Sequence, residues 1–507
     1  MIDLRHAVVA FVLVVVASSA SAQERQGRGG DRPNRQEQSE QSGSGVLSLL
    51  PGDSVTEHSV DTPAGKLAYT ATGGTFSLFS QSGERSAAIF YDAFVLKTDN
   101  RAARPITFVF NGGPGAASAF LNLGLAGPRI AQFGQNGHDG TDVHLVDNPD
   151  TWLAFTDLVF IDPVGTGWSR AAKPDEAKDF YGVRSDAQAM AKVVALYVAK
   201  NGRMSSPKFI LGESYGGFRA AKVARDVQSE QGIVISGIVM QSPMLEGAFQ
   251  FGGERFALGA ALQLPSLAAT EMERKGAFSK DALAKAEHFA LTDYLSTLAG
   301  PPLRGDAAKS FYAHVSQLTG IPADILAQSH GFIGDDYIKT LHAGDHKIVS
   351  YYDATFAADD PYPETREAHG PDPILDGVVR AYGSAFVAYA RDELGFKTDI
   401  TYTLLANDIS GKWEWRDGGS SRSQPSVADD LRVLLALTPS FHLMIAHGYS
   451  DMVTPYAVTR YILDHLPATD GEDRAQLKLY RGGHMFYLDP ESRKAFTADA
   501  RTMYPSP

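Results

Sequence analysis

Short apolar runs, each followed by a loop of glycine and polar residues, recur along most of this chain. Residues 106–110 precede Asn111-Gly112-Gly113-Pro114-Gly115, residues 158–161 precede Asp162-Pro163-Val164-Gly165-Thr166-Gly167, and residues 209–211 precede Gly212-Glu213-Ser214-Tyr215-Gly216. Further on, 233–240 leads to Gln241-Ser242-Pro243, 442–446 to His447-Gly448-Tyr449-Ser450-Asp451, and 477–480 to Arg481-Gly482-Gly483-His484. Apolar strands that alternate with helical segments predict a mostly parallel sheet with helices on its faces. In such sheets the chemistry gathers beyond the carboxyl ends of the strands, where these polar loops fall.

Two stretches break the rhythm. Residues 54–97 carry β-prone runs at 66–72, 75–79 and 87–96 with turn signals between them, which predicts an antiparallel meander leading into the sheet. From 245 to 382 helical patterns dominate, as in 279–298 and 307–318, with a Pro/Asp-rich stretch around 359–373. The expected organisation is a core in two parts, 46–244 and 383–507, with an inserted, mainly helical cap at 245–382.

The N-terminus reads as a secretory signal peptide over residues 1–22. Arg5 and His6 precede an apolar run at 7–17, and Ala20-Ser21-Ala22 supplies a small-residue cleavage site. The run is too short to span a bilayer. Residues 23–45 are rich in Gln, Glu, Arg, Ser and Gly without apolar periodicity, and are expected to form a disordered linker. The expectation is an exported protein, periplasmic or secreted, with no membrane span in the mature chain.

Composition narrows the chemistry. Of 507 residues, 44% are hydrophobic and 21% charged, enough apolar material for a large core. The net charge of −13 argues against nucleic acid as a partner. The chain has no cysteine, which excludes disulfides, thiolate catalysis and cysteine-rich zinc sites. No metal site or organic cofactor is expected, and the oligomeric state is left open.

The segment around Ser214 has the G-x-S-x-G form of a nucleophile elbow, in which a strand turns sharply into a helix and lifts a serine oxygen above the sheet. Residues 208–211 read as the strand and 218–224 as the helix. A serine hydroxyl needs a base, and the base needs an orienting acid. Asp451 and His484 each follow a later strand and give the order Ser, Asp, His. His447 is a rival base, although it precedes the acid; Asp489 is a rival acid in a turn-like Asp-Pro context. The Asn111 to Gly115 loop is a natural oxyanion loop, where a backbone N–H can join that of Tyr215.

Five segments resemble the serine carboxypeptidase family: Asn111-Gly112-Gly113-Pro114-Gly115 with Gly127-Pro128-Arg129 after it, Asn148-Pro149 to Trp152, 162–169, 212–217, and 448–455 with Gly483-His484-Met485. They occur in family order across the core from about residue 104 to 490, outside the cap. The resemblance implies an α/β-hydrolase fold and an acyl-enzyme mechanism, with Ser214, Asp451 and His484 as the triad. It implies an oxyanion hole from the N–H groups of Gly113 and Tyr215. It also implies that Asn111, Gly112 and Glu213 hold the terminal carboxylate of a peptide substrate. Without Arg or Lys that task needs neutral donors, and Glu213 donates only when protonated, which burial favours. Val109 stands where the family usually has tryptophan, Ala116 replaces a cysteine, and the usual serine between Asp162 and Pro163 is missing. The Asp162 segment is also similar to proline iminopeptidases, so an aminopeptidase stays open, as do an esterase and a catalytically inactive binding protein.

Overall fold

The computed structural model describes residues 45–133, 140–335, 337–365, 367–415, 425–467 and 474–505. The expected signal peptide, and the linker up to residue 44, lie outside the described residues.

Nine strands form the spine of the main sheet: β1 (Ser54–Thr62), β2 (Gly65–Phe79), β3 (Arg85–Leu96), β4 (Ile106–Phe110), β5 (Asp157–Ile161), β6 (Lys208–Glu213), β7 (Gly237–Gln241), β8 (His442–Gly448) and β9 (Ala475–Tyr480). Their spatial order is 1-2-3-5-4-6-7-8-9, and a two-residue strand, Arg170–Ala171, pairs with β3. Strands 5, 4, 6, 7, 8 and 9 run parallel, and the first three form the antiparallel meander. The fold is that of an α/β-hydrolase: a mostly parallel sheet flanked by helices.

Every residue of β4, β5, β6 and β7 is buried, which is why apolar residues dominate these strands on both faces. Alternate residues serve opposite faces. Ile210, Ile238 and Ile445 pack against helices Val183–Lys200 and Tyr215–Gln231. Leu211, Val239 and Met444 pack against Pro373–Asp392 and Pro490–Arg501.

Two strand assignments change. The runs at 66–72 and 75–79 form one strand, β2. Its Gly73-Gly74 pair is no turn; it lies where Phe396 and Asp53 crowd the strand from outside. The run from 233 becomes a strand only at Gly237. Ile233 and Ile235 are buried in the connection before it, and their hydrophobicity marks burial rather than extension.

Between residues 245 and 372 the longest elements are helices Ala257–Arg274, Lys280–Phe289 and Gly305–Thr319, joined by a small antiparallel pair, Lys347–Val349 with Ala357–Asp359. The insertion has a core of its own, including Leu264, Tyr294, Val315 and Ile348. The boundary expected at residue 382 falls inside helix Pro373–Asp392. That helix buries Val378, Tyr382 and Phe386 in the main core, so the helix as a whole packs with the sheet. Among the described residues, no helix is long and apolar enough to cross a membrane.

Candidate active site

Strand β6 ends at Glu213 and helix Tyr215–Gln231 begins at Tyr215, leaving Ser214 alone in the turn at φ 60°, ψ −125°. A non-glycine residue rarely holds such a backbone, and one that does so at a strand–helix junction is held by its surroundings. Here Ser214 N–H donates to Gln241 O at 3.0 Å, and Ser214 O accepts from Gly217 N–H at 3.0 Å and Met244 N–H at 3.1 Å. Glycine is required on both sides: a Cβ on Gly212 would strike Gly216 O, and one on Gly216 would strike Phe110 O.

Asp451 and His484 stand in the loops after β8 and β9. His484 Nδ1 lies 3.0 Å from Asp451 Oδ2. Asp451 Oδ1 accepts from the N–H groups of Val453 and Thr454, both at 2.9 Å, and the Thr454 hydroxyl lies 2.8 Å from Oδ2. Burial works against the Asp451 charge, but His484 first and then His447 outweigh it and hold the carboxyl below its usual range. Burial likewise disfavours the His484 cation, and the charge of Asp451 more than compensates, so its pKa is raised. With Nδ1 turned to Asp451, Nε2 is left to act as the proton acceptor. Ser214 and His484 line one cavity of about 220 Å³. No direct hydrogen bond joins them among the described residues; catalytic contacts of this kind often tighten only around substrate.

Asn111, Gly112, Gly113, Glu213 and Tyr215 line the same cavity. Tyr215 is the first residue of its helix, so its N–H has no intrahelical acceptor. A Cβ on Gly112 would lie 2.6 Å from Tyr215 N, which shows how closely the two loops approach. Glu213 is buried. Its Oε2 accepts from Asn111 Nδ2 at 2.7 Å and from the Tyr487 hydroxyl at 3.0 Å. Both are neutral donors. Burial is the dominant influence and pushes the Glu213 pKa up to about 7. Near neutrality Glu213 is therefore divided between an acceptor and a donor form. Among the described residues, no Lys or Arg lines this cavity.

The rival residues take other places. His447 is fully buried, does not line the cavity, and turns Nε2 to Thr459 Oγ1 at 2.8 Å. Asp489 caps helix Pro490–Arg501 by accepting from Ser492 N–H at 2.9 Å. Val109 is buried in β4, with its side chain in the main core. Several site residues had escaped the sequence. Tyr487 carries no motif signal. Arg219 reaches from the elbow helix to Asn111 O and pairs with Asp186 at 2.6 Å, and Ser118 ties the loop to Ile161 O at 2.6 Å. Ser118 N–H also donates to Asp162 Oδ1 at 2.7 Å; burial lifts that carboxyl to about 7.

The sequence profile of the serine carboxypeptidase family matches residues 76–486, most of the chain and all of the cavity's polar residues. The chain belongs to the serine carboxypeptidase family. It is thus a member of a family of serine hydrolases whose substrates are peptides. Comparison with curated proteins gave no match. Among solved structures it is similar to a proline iminopeptidase from Mycobacterium smegmatis, at 16% identity, 85% of this chain, 97% of that one and a TM-score of 0.37. It is also similar to VinJ, at 15% identity, 85% and 99% coverage and a TM-score of 0.36. A thermophilic esterase from Thermogutta terrifontis follows at 13% identity, 89% and 99% coverage and a TM-score of 0.31. Similarity at this level says nothing about substrate.

Proposed function

We propose that this serine carboxypeptidase family member removes C-terminal residues from peptides through an acyl-enzyme intermediate. The observation that carries the reading is the pairing of Asn111 with a buried Glu213 of raised pKa beside Ser214, in a cavity with no Lys or Arg among its described lining residues. Asn111, the Gly112 N–H and protonated Glu213 hold the terminal carboxylate through neutral donors. Ser214 Oγ attacks the last peptide carbonyl and passes its proton to His484 Nε2, while Asp451 stabilises the imidazolium. The N–H groups of Gly113 and Tyr215 receive the oxyanion. The imidazolium then protonates the leaving amine, and water, activated by the same histidine, releases the acyl group.

The same Glu213 supports a second reading. Ionised above pH about 7, it offers a carboxylate to a substrate's free α-amine, as an aminopeptidase requires. The test is to incubate purified protein with a defined peptide mixture and read by mass spectrometry which end shortens, with Ser214→Ala as control. Loss from the C-terminus, abolished in the variant, is the expected result; loss from the N-terminus favours the aminopeptidase, and equal turnover by the variant removes Ser214 from the chemistry.

We also propose export, supported by the apolar run and Ala20-Ser21-Ala22. Sequencing the N-terminus of protein recovered from the periplasm or medium tests it; a chain that begins at Met1 there contradicts cleavage.

A further inference from the structure

Residues 350–354, inside the helical insertion, form a short strap that is bonded to both the acid loop and the base loop. Tyr352 O accepts from His484 N–H at 2.5 Å, and the Tyr352 ring meets the imidazole edge-on at 5.2 Å between centroids. On the acid side, Met452 N–H donates to Tyr351 O at 3.3 Å, Ala354 N–H to Ser450 O at 3.2 Å, and Ser450 Oγ to Asp353 Oδ1 at 2.7 Å. The Met452 side chain, next to Asp451, is buried in the insertion's own core. Close approach is built into the sequence: a Cβ on Gly483 would strike Tyr352 O and lie 2.5 Å from Asp353 Cα.

The strap has its own anchor. Asp372, the N-cap of helix Pro373–Asp392, accepts from Ile374 and Leu375 N–H at 3.0 and 3.1 Å. The same carboxylate accepts from Ser350 Oγ at 2.8 Å and Tyr351 N–H at 2.8 Å. Ser350 Oγ in turn accepts from Tyr352 N–H at 2.9 Å. One carboxylate therefore joins a helix of the main core to the strap that touches the base. Neither Ser350 nor Asp372 lines the cavity.

We propose that the strap is a positioning device for His484, with Tyr352 seating the imidazole and Asp372, through Ser350 and Tyr351, holding the strap in place. This rests on the reading of His484 as the base. Asp372 acts on that base in two ways, by geometry and by its negative charge, which favours the His484 cation. The other charged or titratable groups around His484 are Asp451 and His447 from β8 and the loop after it, Glu213 from the end of β6, Tyr352 and Asp353 from the strap, and Tyr487 from the base's own turn.

Asp372→Asn tests both effects. An asparagine caps helices well, so the fold is retained. Its amide has a single acceptor oxygen, so it cannot serve the helix cap and the strap with both as the carboxylate does. Measured on a peptide acid and on p-nitrophenyl acetate, kcat falls about tenfold with little change in KM, as expected for a misplaced base. The acidic limb of kcat/KM moves to lower pH by about half a unit, because the imidazolium has lost a nearby negative charge. Ser350→Ala lowers kcat without moving that limb. Tyr352→Leu, which removes the ring that meets the imidazole, lowers kcat. Nuclear magnetic resonance of histidine-labelled protein reads the His484 titration directly, without turnover. An unmoved His484 titration in Asp372→Asn, or wild-type kcat in both Asp372→Asn and Ser350→Ala, overturns the proposal. A wild type that cleaves neither substrate overturns the hydrolase reading instead, a Ser214→Ala that cleaves both removes Ser214 from the chemistry, and in either case the resonance titration still decides the strap's electrostatic claim.

Discussion

At the end of β6, Glu213 meets two neutral donors, Asn111 and Tyr487; across His484, Asp451 meets two backbone N–H groups, a threonine hydroxyl and two imidazoles. Both carboxyls are buried, and burial pushes both toward the protonated form. Around Glu213 nothing is strong enough to reverse that. Around Asp451 the charge that His484 can take on, with His447 beside it, does reverse it. The same functional group is thus driven toward its protonated form in one region and held as an anion in the other. Their environments set the roles, and the residue types do not.

Replacing each carboxyl by its amide breaks this comparison most sharply. Asp451→Asn should lower kcat by about 10⁴-fold, because an amide can present the wrong partner to Nδ1 and cannot stabilise the imidazolium. A loss below tenfold would show that Asp451 need not be charged. Glu213→Gln preserves a neutral donor and should leave kcat for a peptide acid within about tenfold of wild type, since it only replaces one neutral hydrogen-bond donor with another. Its distinguishing effect is on pH. In wild type, kcat/KM for a peptide acid should fall as pH rises through about 7, where Glu213 loses its proton. The variant should lack that fall, and a matched peptide amide should lack it with either protein. Identical profiles for acid and amide would remove carboxylate recognition from the account.

His447 sharpens the comparison from the acid's side. Its Nδ1 lies 3.8 Å from Asp451 Oδ2, too far for a hydrogen bond, and burial lowers its pKa. His447→Asn should therefore reduce kcat by only about threefold to tenfold, through a small shift of Asp451. A loss as large as that of His484→Ala would return His447 to the role of base.

The smallest effect is on stability, and its sign differs between the two carboxyls. Glu213 has a folded pKa raised to about 7, so the folded state holds its proton more tightly than the unfolded chain. Its stabilising contribution is full below its ordinary pKa and is lost as pH rises toward 7. Asp451 is shifted downward, so its contribution is present above its ordinary pKa and is lost as pH falls below it. Melting temperatures should show Glu213→Gln gaining on wild type between pH 5 and 8. Asp451→Asn should lose to wild type across that range and recover toward pH 3. Parallel curves in either case would contradict the assigned shift.

Much of the site is local in the chain and hence legible. The elbow is five consecutive residues whose glycines are demanded by contacts within the turn and with the adjacent strand. The acid and base loops each follow a strand that reads as an apolar run. The insertion was visible as a loss of strand rhythm, but its end was not. Helix Pro373–Asp392 has the same periodicity whether it packs on the sheet or on the insertion, and only the partner tells the two apart. The Gly73-Gly74 pair misled for a similar reason, because crowding by Phe396 and a chain reversal select glycine alike.

The sequence by itself determined the class of fold, the order of the triad candidates and the loop that faces the nucleophile. Each of these depends on residues close together in the chain, or on periodicities that burial imposes strand by strand. Only the tertiary structure decided which histidine reaches the cavity, which acid is driven toward its protonated form, and that residues 350–354 of the insertion contact His484. Those outcomes depend on desolvation and on groups such as the Tyr487 hydroxyl and the Asp372 carboxylate brought from distant segments, and no local pattern encodes a partner that arrives only on folding.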